Sequence, residues 1–160
     1  MKKIFIATLL LILPLLSGCV GLKEVYEKLV EFFKKPIQYK WVVKVDREES
    51  FKWLDMINAD LAKVSSYPFF IKDGTKYLHI YIEVNFSNPL GIKGLSQGKL
   101  NLTIVTPIKN VSKSYCTTAK SKTYNDFIYF ANPEEGEWEL VIKLIGYGKY
   151  KIFVEAYERI

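Results

Sequence analysis

From Tyr77 to Phe86 the chain alternates without a break. Leu78, Ile80, Ile82, Val84 and Phe86 fall on one side, and Tyr77, His79, Tyr81, Glu83 and Asn85 on the other. A period of two is the signature of a strand with one face buried, because successive side chains leave a pleated backbone in opposite directions. Such a strand needs sheet neighbours at its edges and a second layer over its apolar face. The flanking sequence supplies both. Tyr39 to Val45 alternates, with Trp41, Val43 and Val45 on one face and Lys40, Val42 and Lys44 on the other. Phe69-Phe70-Ile71 leads into Asp73-Gly74, a turn pair expected to close a hairpin. Lys99 to Val105 and Asp126 to Phe130 read as further strands, with Asn132 to Gly136 as a turn. Trp138 to Ile145 and Lys149 to Tyr157 read as a hairpin across Gly146-Tyr147-Gly148. The Ser/Lys/Thr-rich stretch 109–123 reads as a long loop broken by a short strand around Tyr115. Short strands with turn signals between them predict a mainly β chain, an antiparallel β-sandwich.

Two segments have helical spacing. In Leu22 to Lys35, Leu22, Val25, Tyr26, Leu29, Phe32 and Phe33 form an apolar stripe opposite Glu24, Lys28, Glu31 and Lys35. Glu24–Lys28 and Glu31–Lys35 are favourable i,i+4 pairs, and Pro36 ends the run. Ser50 to Val64 fits a short second helix capped by Ser50, and a pair of short strands fits the same residues.

The start of the chain has a different character. Lys2 and Lys3 precede an apolar run from Ile4 to Leu16, and small Ser17 and Gly18 precede Cys19. That order marks an export signal. A membrane-spanning helix needs about 20 apolar residues, and this run is shorter and contains Pro14. Leu16-Ser17-Gly18-Cys19 resembles the lipobox of prokaryotic lipoproteins, with an aliphatic residue, two small ones and a cysteine. The resemblance implies cleavage before Cys19 and a diacylglyceryl thioether on its sulfur. The expected division is a signal peptide at 1–18, a lipid-anchored helical segment at 19–36 and a β-sandwich at 37–160. The expected location is the outer side of the cell membrane.

Without Lys2 and Lys3, the 23 basic side chains fall to 21 against 17 acidic ones, with no basic run longer than Lys34-Lys35. A nucleic-acid site would show a clustered basic stripe, so nucleic acid is not an expected partner. Lysine far outnumbers arginine, and Gln and Met are scarce. This suits a thermophile, and an AT-rich genome gives the same bias. Cys19 and Cys116 are the two cysteines. With Cys19 lipidated, no disulfide framework exists and stability rests on the core.

The series Pro68-Phe69-Phe70-Ile71, Gly74-Thr75-Lys76, an alternating strand, and Leu100-Asn101-Leu102-Thr103-Ile104 with Thr106-Pro107 carries a resemblance. So does the ending Asn132-Pro133-Glu134-Glu135-Gly136-Glu137-Trp138, then Gly148, Tyr150 and Ile152. Pro68 to Tyr157 is similar to the jelly-roll pre-peptidase C-terminal modules of secreted microbial proteases. The resemblance implies an eight-stranded sandwich that binds or assists something else. It also implies calcium at an acidic segment before Leu100. Ser96-Gln97-Gly98-Lys99 stands there without a carboxylate, so no metal or other cofactor is expected.

Chemistry-bearing residues are few. His79 is the single histidine, no Gly-x-Ser-x-Gly elbow exists, and no His/Cys spacing suits zinc. An enzyme is not expected. Glu134, Glu135 and Glu137 crowd one turn, read as solvated. Tyr77, His79 and Tyr81 form a candidate ligand face, since aromatic rings in a row can stack on sugar rings; a covering helix is the competing reading. Asn85-Phe86-Ser87, Asn101-Leu102-Thr103 and Asn110-Val111-Ser112 are candidate N-glycosylation sites, whose use would favour an archaeal source. The expectation is a membrane-anchored, non-enzymatic binding or accessory lipoprotein contacting an extracellular protein or glycan. The alternative is a solute- or glycan-capturing lipoprotein serving a transporter.

Overall fold

The computed structural model describes residues 37–52, 63–87 and 98–160, together with Tyr26, Glu27 and Val30. The chain divides into two units, Met1–Ile37 and Gln38–Ile160. In the first, Tyr26, Glu27 and Val30 are helical and exposed. The rest of the expected helix, the leader and Cys19 lie outside the described residues, as do 53–62 and 88–97. Among the described residues, no helix is long and apolar enough to cross a membrane.

The second unit has eight strands: β1 (Tyr39–Phe51), β2 (Lys63–Ile71), β3 (Tyr77–Ser87), β4 (Gly98–Val105), β5 (Asn110–Thr117), β6 (Ser121–Ala131), β7 (Gly136–Ile145) and β8 (Gly148–Arg159). They form two four-stranded sheets, β1-β8-β3-β6 and β2-β7-β4-β5, with every pairing antiparallel. Among consecutive strands, β4 and β5 alone pair with each other; every other connection passes from one sheet to the other. This is the jelly-roll order of an antiparallel β-sandwich, as the sequence predicts.

The core lies where the two inner faces meet. Leu78, Ile80, Ile82 and Val84 of β3 are wholly buried, and so are Ile152, Val154 and Ala156 of β8. From the other sheet come Leu100, Leu102 and Ile104 of β4 and Leu140, Ile142 and Leu144 of β7. Each such aliphatic side chain stabilises the fold by about 1.5–3 kcal/mol relative to exposure. Trp138 closes one end, its Nε1–H donating to the Glu134 carbonyl at 3.0 Å and its ring meeting Phe130 edge-on at 5.2 Å. Gly148 starts β8 where a Cβ would lie 2.1 Å from the Asn85 carbonyl oxygen, so a side chain there would push β8 away from β3.

Four expectations need correction. Asp73-Gly74 makes a turn, with Gly74 at φ 72°, but it does not close a hairpin: β2 and β3 belong to different sheets. The same holds for Gly146-Tyr147-Gly148 between β7 and β8. Turn chemistry fixes a reversal but not whether the next strand pairs or crosses the core. Residues 109–123 are largely strand, because small hydroxyl and lysine side chains suit the solvent side of edge strands β5 and β6. Ser50 and Phe51 end β1 with Phe51 in the core, and Lys63 and Val64 begin β2, so a helix from Ser50 to Val64 is excluded at both ends.

The fifth correction concerns β1. Val43 pairs with Glu155 and Val45 with Val154, leaving Lys44 as the extra residue of a bulge. The bulge shifts parity: Val45 is buried, whereas Trp41 and Val43 point outward. Lys44 turns inward to Glu158, 2.5 Å away, and Lys72 lies 3.8 Å from the other carboxylate oxygen. Glu158 is 1% exposed, and its ion pair with Lys44 joins β1 to the end of β8, while the largely exposed Lys72 approaches only at the outer limit of ion-pair distance.

Polar clasps fasten both open sides of the sandwich. Between β1 and β2, Tyr67 donates to Glu49 at 2.6 Å, so the Tyr150 hydroxyl, also at 2.6 Å, must donate to Tyr67. Lys63 adds an ion pair to Glu49 at 3.1 Å. Between β5 and β6, Lys113 and Tyr115 both reach Asp126 Oδ2 at 2.8 Å, and Tyr124 donates to the Cys116 carbonyl. Burial holds the Tyr115 and Tyr150 hydroxyls well above the ordinary tyrosine range, so both stay protonated donors.

Glu158→Ala leaves Lys44 facing the core edge unpaired, and should cost roughly 3–5 kcal/mol in urea unfolding. Lys149→Ala, which removes an exposed pair to Glu48, should cost less than about 1 kcal/mol. The clasps also set an acid limit. The Tyr67 hydrogen bond, with help from Lys63, holds the Glu49 carboxyl below its usual 4.5 despite partial burial. Burial pushes Asp126 up, but Lys113 and Tyr115 outweigh it and leave the group below its usual 3.8. A depressed folded-state value stabilises above the unfolded value and is lost as pH falls through the folded one. Urea midpoints should therefore fall between about pH 5 and pH 3, and the fall should shrink in Glu49→Gln/Asp126→Asn.

Candidate functional site

The outer face of the β1-β8-β3-β6 sheet carries the densest group of exposed rings. Register places its outward residues in rows across the strands. Trp41, Tyr157 and Tyr77 share one row. The next holds Val43, Glu155, His79 and Tyr129. After it come Asp46, Phe153, Tyr81 and Phe127. Trp41, Tyr77, Phe127 and Tyr129 remain 41–56% exposed, well above the core rings.

These rings touch. Tyr157 stacks with Tyr39 at 5.4 Å and with Tyr77 at 6.1 Å, and Tyr77 meets Tyr129 at 5.8 Å. His79 sits among Trp41 at 4.4 Å, Phe127 at 4.9 Å and Tyr129 at 5.7 Å. The Trp41–His79 distance is informative. β1 and β3 flank β8 and so stand two strand spacings apart, nearly 10 Å. Ring centres only 4.4 Å apart therefore require side chains that lean across β8, and Trp41 also touches Tyr157 at 5.0 Å. Trp41 is still 43% exposed, so much of the indole is open to solvent.

A polar pair lies within the rings. His79 Nδ1 is 3.3 Å from Glu155 Oε1, both side chains about three-quarters buried. Face, edge and hydrogen-bonding groups thus stand within one or two residues' width. The arrangement suits a ligand with flat apolar patches and hydroxyl rims.

Of the residues singled out from sequence, Tyr77 and His79 belong to this cluster. Tyr81 lies one row further along, half-buried, its hydroxyl donating to Asn125 Oδ1 at 3.2 Å. Asn85 is on the same face of β3, half-buried. Asn101 is on the outer face of the other sheet, accepting from Ser114 Oγ at 2.7 Å, and Asn110 is exposed at the start of β5. Sequence reasoning did not single out Trp41, Phe127, Tyr129, Glu155 or Tyr157. Alternation in the segments Asp126–Phe130 and Lys149–Tyr157 carried the signal for four of them. Alternation places Trp41 on the face of Val45, and nothing in the local pattern marks the bulge.

Among the described residues, His79 meets Glu155 and the rings of Trp41, Phe127 and Tyr129, and none of these is a Ser, Thr or Cys nucleophile. Cys116 is exposed on the outer side of the opposite sheet, with the core between them. Among the described residues, no group of three or more His, Cys, Asp or Glu side chains is placed to hold a metal ion. An open recess of ≈ 550 Å³ between β1 and β2 is lined by Lys44, Asp46, Arg47, Ser66 and Tyr67 among others. Its charged, open lining differs from the apolar enclosure of small-solute sites.

No family model matches the chain, and no curated protein sequence does. Solved structures that resemble it do so distantly. The lipase BlEst2 of Bacillus licheniformis, in propeptide form, aligns at TM-score 0.44 and 10% identity over 79% of this chain, which spans 23% of that enzyme. TmCBM61, solved with β-1,4-galactotriose, aligns at 0.38 and 14% over 75% of this chain and 88% of its own. A carbohydrate-binding module of Cellvibrio mixtus lichenase 5A, solved with cellotriose, aligns at 0.33 and 13% over 73% and 89%. At these values the class, a jelly-roll β-sandwich, rests on the strand order of the chain itself.

Proposed function

We propose that the protein is a non-enzymatic glycan-binding β-sandwich, held on the outer side of the cell membrane through a lipid on Cys19. The observation that carries the binding half is the leaning indole of Trp41 beside the His79–Glu155 pair. A pyranose ring offers a flat C–H face to the indole, while its equatorial hydroxyls reach the carboxylate and imidazole at the side. Burial of that face supplies affinity, and the two polar groups supply orientation. Tyr157 and Tyr77 support the indole through ring contacts, directly for Tyr157 and in series for Tyr77. The anchoring half rests on the order of residues at Leu16-Ser17-Gly18-Cys19. Two acyl chains hold a protein stably at a bilayer where one gives marginal binding.

Affinity electrophoresis in gels containing neutral polysaccharides (glucan, galactan, mannan and xylan) tests the binding half. At least one gel should retard the protein. Trp41→Ala should weaken that binding by about tenfold or more, the factor that ~1.4 kcal/mol supplies. Lys143→Ala, exposed on the opposite sheet, should leave it unchanged. Full retention of binding in Trp41→Ala would remove this face from consideration. For the anchor, labelling with a radioactive fatty acid should mark the wild type and not Cys19→Ser; equal incorporation ends that proposal.

A further inference from the structure

The face does not end with the rings. Beyond the row of Phe153, Tyr81 and Phe127, the outward residues become charged and polar. Glu48, Lys151, Glu83 and Asn125 form the next row, followed by Ser50, Lys149, Asn85 and Thr123. Two features set this half apart. Its charges alternate in sign across the strands, Glu48 beside Lys151 beside Glu83, and Lys149 adds an ion pair to Glu48 at 3.8 Å. Opposite charges facing one another across strands hold each other in place and leave little net field. There is also an open recess of ≈ 120 Å³, lined by Glu48, Glu83, Asn85, Lys149, Tyr150 and Lys151. The floor offers both donors and acceptors.

From His79 to Asn85 is six positions along β3, or about 20 Å at ~3.3 Å per residue. His79 and the recess thus lie in line along the strands of one sheet, with the row of Phe153, Tyr81 and Phe127 between them, at a separation greater than the width of a single sugar. We infer that this recess is a second subsite of the same face, and that the ligand is a neutral glycan chain laid along the strand direction. The inference rests on the glycan reading above. The charge balance selects the class: two carboxylates and two ammonium groups give hydroxyls partners of both kinds, whereas a polyanionic chain would meet Glu48 and Glu83 without a compensating excess of lysine. Once the rings hold one end of a chain, contact at the recess becomes intramolecular and raises affinity without any new strong interaction.

The test is a calorimetric length series. Neutral oligosaccharides from disaccharide to octasaccharide are prepared from the polysaccharide that retards the protein most. They are titrated into wild type, Trp41→Ala and Glu83→Gln/Lys151→Gln, with melting curves confirming that each variant is folded. In the wild type, affinity should climb with chain length until both subsites are spanned and then level off, a gain of about tenfold or more between the shortest and longest chains. The double variant should lose that gain and bind the shortest chains as the wild type does. Trp41→Ala should weaken every length. Wild-type affinity independent of length, or a double variant that keeps the gain, overturns the second subsite while binding lost in Trp41→Ala leaves the glycan reading standing. Tighter binding of uronic-acid oligomers of equal length overturns the neutral class. Failure of every polysaccharide to bind overturns both.

Discussion

The register of β3 is the constraint on which everything else depends. Its inward side is buried from Leu78 to Phe86, and its outward side carries His79 in the middle of the rings. A slip of one residue would move the whole apolar set into water and bring Tyr77, His79, Tyr81, Glu83 and Asn85 into the core. β3 is also an inner strand, paired without interruption to β6 on one side and β8 on the other. The same lock therefore fixes two further outward rows, Tyr129 and Phe127 on β6 and Tyr157 and Glu155 on β8. Core packing and the candidate site are two consequences of one alternation.

That is why so much of the fold can be read from the chain and why the remainder cannot. Strands with one dry face, such as β3, β4, β7 and β8, write their period into the sequence because each inward position must be apolar. Edge strands are under weaker demand. In β5 and the start of β6, Tyr115 and Thr117 are buried while serines, lysines and threonines fill most of the rest, and the stretch looks like a loop. Pairing is harder still. Asp73-Gly74 and Gly146-Tyr147-Gly148 show where the chain reverses, yet whether the next strand joins the same sheet depends on which apolar faces meet across the core. For the site, Tyr77 and His79 were legible as a face. Trp41 was not, since the bulge at Lys44 turns it to the other face and nothing periodic in the sequence marks that bulge.

The two outer faces use the same architecture for different ends. On β2-β7-β4-β5 the outward residues include Ser66, Val141, Thr103, Ser112, Lys143, Asn101 and Ser114. Thr103 and Ser112 hydrogen-bond across strands at 3.2 Å, as do Ser114 and Asn101 at 2.7 Å. Small polar groups dominate the middle of this face, with Val64, Phe70 and Ile145 exposed singly toward its ends. On the other sheet, the exposed rings are contiguous and touch one another. Contiguous exposed aromatic surface is a liability for a chain in water unless something uses it. The asymmetry is the physical reason to place binding on one face and not on both.

Binding by such a face is favourable only if its rings are held before a ligand arrives. Tyr and Trp side chains have two rotatable bonds each, so their immobilisation costs little. Here the cost has already been met in folding: Tyr39, Tyr157, Tyr77 and Tyr129 contact one another in series, and Trp41 leans on Tyr157 and His79. Trp41 stands on an edge strand, which by itself would fray. Three residues on, Lys44 is drawn inward to the buried Glu158, and at the end of β1 Phe51 packs edge-on against Phe86 at 5.9 Å. The ion pair is a poor source of net stability because two charges must leave water. Its effect is positional: it holds the bulge, the bulge sets the parity, and the parity turns the indole outward. Preorganisation of this kind lowers the entropy lost on binding and so raises affinity without enlarging the contact.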